Sequence, residues 1–109
     1  MRTPKSHVIR EVIKRLERTY RPVRVVLFGS HATGRPRRHS DIDLLIVKRT
    51  SKPFHRRLFE VRRLASPVLK GRPFDPIVMT PAEVGRRLKR GDQFVKDILE
   101  HGQHVYVRP

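Results

Sequence analysis

The sequence predicts a small α/β (α+β) chain in which a mixed β-sheet packs against helices. Three observations carry this reading. Short β-branched runs at Val23–Phe28, Ile42–Val47 and Phe74–Met79 read as strands. Stretches with apolar residues at helical spacing lie between and around them. Proline and glycine sit at the boundaries, where turns belong. The order α-β-(α)-β-α-β-α-α-β has no internal repeat and no linker, so residues 1–109 are expected to form a single domain.

The elements follow in order. Thr3-Pro4 has the chemistry of a helix start, with Thr3 as cap and Pro4 in the first turn. Val8, Ile9, Val12, Ile13 and Leu16 then form an apolar stripe that ends near Tyr20. Pro22 and Gly29 bound the first strand. Residues 29–40 are turn-rich and basic, and their first residues are expected to form a short helix. Ile42–Val47 is the second strand. Arg49-Thr50-Ser51-Lys52-Pro53 leads into a helix with Phe54, Leu58, Phe59, Val61 and Leu64 as apolar positions, bounded by Pro67 and Gly71. Pro76 in the third strand points to a sheet edge. Thr80-Pro81-Ala82-Glu83 predicts a capping box with proline at the first helical position. Gly91-Asp92 ends that helix and starts another, whose apolar face is Phe94, Val95, Ile98 and Leu99. Gly102 is expected to stop it at the C′ position, before a last strand over His104–Val107.

Composition narrows the function classes. The chain has 26 Lys and Arg against 10 Asp and Glu, a formal charge of +16 in 109 residues. Such a balance predicts an acidic partner: nucleotide, nucleic acid or an acidic protein face. Cysteine is absent, which excludes disulfides and thiolate metal centres. No apolar run approaches the length of a membrane span, and no apolar signal core follows Met1-Arg2-Thr3-Pro4. The expectation is a cytoplasmic protein without membrane association.

One segment carries chemistry. Gly29-Ser30 is followed by ten residues and then Asp41-Ile42-Asp43. Gly29 directly follows a strand, so the chain can turn tightly there. The next amides and the Ser30 hydroxyl then face a phosphate group. Asp41 and Asp43 are two apart in a strand and point to one face. Two carboxylates a few ångströms apart repel, and a divalent cation between them relieves the repulsion. Mg²⁺ favours one or two carboxylates plus substrate phosphate oxygens. The implied reaction is attack on a nucleoside triphosphate with metal stabilisation of phosphate charge.

The segment Leu27-Phe28-Gly29-Ser30, Ala32, Gly34, Ser40-Asp41-Ile42-Asp43-Leu44-Leu45-Ile46-Val47 resembles the signature of the minimal nucleotidyltransferases of the DNA-polymerase-β superfamily. Phe94 to Tyr106 is similar to the family's last helix, glycine and tyrosine-containing strand. The resemblance implies a polymerase-β-like nucleotidyltransferase fold and a third carboxylate on the strand after the intervening helix. Asp75 is the candidate, as third metal ligand and possible base. Gly29 and Ser30 would position the β- and γ-phosphates. The implied cofactor is Mg²⁺ in a two-metal site, and the implied substrate is ATP or another nucleoside triphosphate. The implied setting is that of an antitoxin that transfers AMP to a hydroxyl of a HEPN-domain partner. Three departures stand out: His31 where the family often has arginine, Pro76 directly after Asp75, and the basic loop Arg35-Pro36-Arg37-Arg38-His39.

Other readings stay open at this stage. Arg35, Arg37 and Arg38 suit either the triphosphate tail or solvent. Arg56-Arg57, Arg62-Arg63, Arg86-Arg87 and Lys89-Arg90 suit a surface facing RNA or an acidic protein. RNA is therefore an alternative acceptor, and a non-catalytic partner-binding module is an alternative class. Apolar helix faces on so thin a core also suit an oligomer.

Overall fold

The computed structural model of the protein describes residues 3–33 and 41–109. Gly34, Arg35, Pro36, Arg37, Arg38, His39 and Ser40 lie outside the described residues, with Met1 and Arg2. The elements are α1 (His7–Arg15), β1 (Arg24–Phe28), α2 (Ser30–Thr33), β2 (Ile42–Val47), α3 (Phe54–Leu69), β3 (Phe74–Met79), α4 (Pro81–Lys89), α5 (Gln93–His101) and β4 (Gln103–Val107).

The strands form one sheet in the order β3-β2-β1-β4. β1 runs antiparallel to both β2 and β4, while β2 and β3 are parallel. β3 is an edge strand, where a proline's missing N–H is tolerated, so Pro76 fits. The period of two sorts the side chains. Val25, Leu27, Ile42, Leu44 and Ile46 face α1 and α3, together with Ile9, Val12, Leu16, Val61 and Ala65. Val26, Leu45, Val47 and Met79 face the other way and pack on Val95 and Ile98 of α5. The sheet is thus covered on both faces, and the alternation decides on which face any polar strand residue emerges.

The first helix starts later than expected. Its cap is Ser6, whose hydroxyl accepts from the Ile9 amide at 3.3 Å. Thr3-Pro4 is instead held beside the helix, because the Arg10 guanidinium donates to the carbonyls of Pro4 (2.8 Å) and Lys5 (2.6 Å). After Arg15 the chain widens into a π-helical turn, Leu16–Tyr20, and ends at Arg21 in the left-handed region (φ 57°). The wider turn buries both Leu16 and Tyr20.

α3 also corrects the sequence reading. Its buried stripe is Arg57, Val61, Ala65 and Leu69, one residue per turn. Phe54 and Phe59, expected on the apolar face, are 55% and 53% exposed. Pro67 does not bound the helix but lies inside its last turns, where its missing N–H forfeits one hydrogen bond. Lys70 (φ 50°) and Gly71 (φ 82°), both left-handed, end it.

Arg57 heads the buried stripe because it finds partners for its donors. It pairs with Glu83 (2.6 and 3.3 Å) and donates to the carbonyls of Lys52 (2.8 Å) and Val78 (3.3 Å). Glu83 closes the expected capping box with Thr80. One ion pair thus ties the start of α3, the end of β3 and the start of α4 together. Asp92 caps α5 through the Val95 amide at 3.1 Å. Gly102 ends α5 with φ −72° and ψ 166°, so it is not a left-handed stop. A Cβ there would lie 2.5 Å from the Ile98 carbonyl and 2.6 Å from Val26, so α5 and β1 leave no room for a side chain. Among the described residues, no helix is long and apolar enough to cross a membrane.

Candidate active site

The strand ladder brings the carboxylates together. Asp43 is the register partner of Asp75 across the parallel β2–β3 pair, and of Phe28 across the antiparallel β1–β2 pair. Asp43 alternates with the inward-facing Ile42 and Leu44, so it emerges on the α5 side of the sheet with Leu45 and Val47. Asp75, next to Pro76, takes the same side in β3. Asp41, just ahead of β2, completes the group. One oxygen from each of Asp41, Asp43 and Asp75 lies within 4.8 Å of the others. Asp41 and Asp75 are exposed, while Asp43 is half-buried.

Electrostatics single out Asp43. Burial pushes its carboxyl above the usual aspartate range, the charges of Asp75 and Asp41 push it further, and His31 opposes them. The cluster therefore stores repulsion that a cation would relieve.

Gly29 makes this packing feasible. It adopts φ +75°, a conformation suited to glycine, and turns the chain from β1 into α2. A Cβ on Gly29 would lie 2.2 Å from Asp43 Oδ2 and 3.1 Å from its Cγ. The missing side chain is the space that the carboxylate occupies. The Gly29 carbonyl accepts from the amides of Ala32 (3.1 Å) and Thr33 (3.2 Å), which closes the one turn of α2. Ser30 therefore sits at the start of that turn, directly after the glycine that Asp43 packs against. On the other flank, Arg62 Nη1 donates to the Phe74 carbonyl at 3.1 Å and braces the backbone just before Asp75.

The donor set is all carboxylate oxygen, which selects a hard cation such as Mg²⁺ over soft metals. Three protein oxygens also leave coordination positions for phosphate oxygens. The residues fit such an ion.

The structure thus brings together Asp41, Asp43 and Asp75 and sets Gly29 against Asp43, with Ser30 next in the chain. The arginines 35, 37 and 38 lie outside the described residues. Of the arginines expected on a partner-facing surface, Arg57 turns inward to Glu83, while Arg62 stays exposed and donates to the Phe74 carbonyl. His104 has a structural role, with Nδ1 meeting Arg24 Nη1 (2.7 Å) and Nε2 meeting the Leu99 carbonyl (2.8 Å). The bracing by Arg62 carries no sequence signal, because it depends on a backbone contact across elements.

A hard-cation cluster of strand carboxylates beside a glycine turn defines a class of phosphate-handling protein. The sequence model of the nucleotidyltransferase domain matches residues 9–105, and the chain belongs to that family. Its fold is the polymerase-β-like nucleotidyltransferase fold, and its general activity is nucleotidyl transfer, which in this family uses a nucleoside triphosphate and a divalent metal. A comparison with curated proteins finds no match.

Proposed function

We propose that the chain transfers a nucleoside monophosphate, AMP from ATP, to a hydroxyl of a partner macromolecule in the cytoplasm. The observation that carries this is the convergence of Asp41, Asp43 and Asp75, with Asp43 in the space left by Gly29. Asp41, Asp43 and Asp75 would hold Mg²⁺, which would supply charge stabilisation for the phosphate oxygens. Gly29 and Ser30 hold the β- and γ-phosphates in line with the acceptor. The acceptor oxygen forms a bond to the α-phosphorus, and the bond from that phosphorus to the β-phosphate oxygen breaks. Pyrophosphate leaves with its bonding electrons, and Asp75 takes up the hydroxyl proton.

The resemblance to minimal nucleotidyltransferases supports a specific acceptor: the tyrosine hydroxyl of a HEPN-domain ribonuclease toxin, which the transfer neutralises. The charge of +16 keeps RNA as a second acceptor class, with the exposed Arg86, Arg87, Lys89 and Arg90 of the α4 end as its contact surface.

The test is transfer of label from each α-labelled nucleoside triphosphate with Mg²⁺. Acceptors are the neighbouring gene product, bulk protein and bulk RNA, with Asp43→Asn as control. Label in one acceptor, lost in the variant, supports the reading and names the acceptor class. Absence of both transfer and metal-dependent nucleotide binding overturns it in favour of a binding module.

A further inference from the structure

Beside the Gly29-Ser30 turn, between α2 and α5, lies a pocket of about 300 Å³ lined in part by Phe28, Phe94, Asp97 and His101. Its volume is at the small end of the range for ligand sites. Phe28 is the ladder partner of Asp43, so their side chains are direct neighbours on one sheet face. The Phe94 ring meets Phe28 edge-on, with centroids 5.8 Å apart at 84°. Asp43, Phe28 and Phe94 therefore form a row that leads from the carboxylates to the pocket.

Phe94 is not held there by core packing. The buried stripe of α5 is Val95 and Ile98, and Phe94 lies beside it, 53% exposed. The sequence places Phe94 on the apolar face, and the structure turns it outward at the mouth of the site. An exposed aromatic ring near a triphosphate-handling turn is a stacking surface. Asp97 and His101 supply a polar rim for the edge of a stacked ring system.

We propose that this pocket is the nucleoside subsite, with the base of the nucleoside triphosphate stacking on Phe94. The inference rests on the reading that Gly29, Ser30 and the three aspartates handle the triphosphate, and it adds the surface that distinguishes a nucleotide from a bare polyphosphate. Every base has a π-face, so stacking on Phe94 gives affinity for nucleotides as a class rather than strict base choice.

The test compares two probes with Mg²⁺ on the full chain: ATP and inorganic tripolyphosphate. The expected result is that Phe94→Ala and Phe94→Leu weaken ATP binding about tenfold, the scale of one base–aromatic stack, and leave tripolyphosphate binding unchanged. Phe94→Tyr, which keeps the ring, retains wild-type ATP affinity. Unchanged ATP affinity in Phe94→Ala overturns the subsite while leaving the phosphate site intact. An equal loss for both probes also overturns it, since the ring would then only shape the turn. If neither probe binds the wild-type chain, the underlying reading of the carboxylate site fails, and the subsite with it.

Discussion

Replacing Gly29 with alanine separates the chemistry of the site from its stability. Two costs arise. The backbone conformation at φ +75° disfavours a side chain by about 1–2 kcal/mol. The new methyl would also lie 2.2 Å from Asp43 Oδ2. The carboxylate must retreat by about 1 Å to reach ordinary van der Waals separation. A displacement of that size at a reacting centre costs about a hundredfold in rate. Gly71→Ala is the matched control, because Gly71 has φ +82° but nothing within 4 Å of its would-be Cβ. Both variants should lose stability in urea denaturation, Gly71→Ala by the backbone cost alone. Only Gly29→Ala should lose about a hundredfold in nucleotidyl transfer. Equal transfer activity in the two variants would refute the argument that Asp43 occupies the space of the missing side chain.

Two further predictions concern the frame around the site. The Arg57 hydrogen bonds and the Thr80 amide hold the Glu83 carboxyl below the ordinary value of 4.5, against the effect of burial. A depressed carboxyl contributes stability above its unfolded pKa and loses it as pH falls through the lower folded pKa. Glu83 is 33% exposed, so solvent screening trims the contribution. Denaturation midpoints below about pH 4.5 should therefore fall less steeply in Glu83→Gln than in the wild type; identical acid limbs would count against the pair. Gly102→Ala should cost about 1–3 kcal/mol by forcing α5 away from β1, and a urea midpoint equal to that of the wild type would contradict the close approach.

Strands β1, β2 and β3 were legible because each is a short apolar run between turn residues, and Ile42–Val47 and Phe74–Met79 keep their expected bounds. The capping boundaries were legible where one residue had the right chemistry, as at Thr80 and Asp92. At the amino end, Thr3 and Ser6 offer the same local chemistry, and the choice fell to Arg10, whose contacts only the folded chain defines. The buried Arg57 was illegible because its partner Glu83 is distant in sequence. Gly102 reads as a helix stop in sequence, yet its requirement is space against Val26, on another element. The Asp-x-Asp spacing suggested one shared face for Asp41 and Asp43. That Asp75 meets them depends on the parallel register Asp43↔Asp75, which one sequence does not contain.

The central claim is that Asp41, Asp43 and Asp75 form one cation site that serves a nucleoside triphosphate. Calorimetric titration of Mn²⁺, with and without ATP, into the wild-type chain and into Asp43→Asn and Asp75→Asn tests it most directly. The account predicts saturable binding that ATP strengthens and that each substitution weakens at least about tenfold, the loss expected when a buried or clustered charge partner is removed. Mn²⁺ and ATP affinities unchanged in both variants would contradict it.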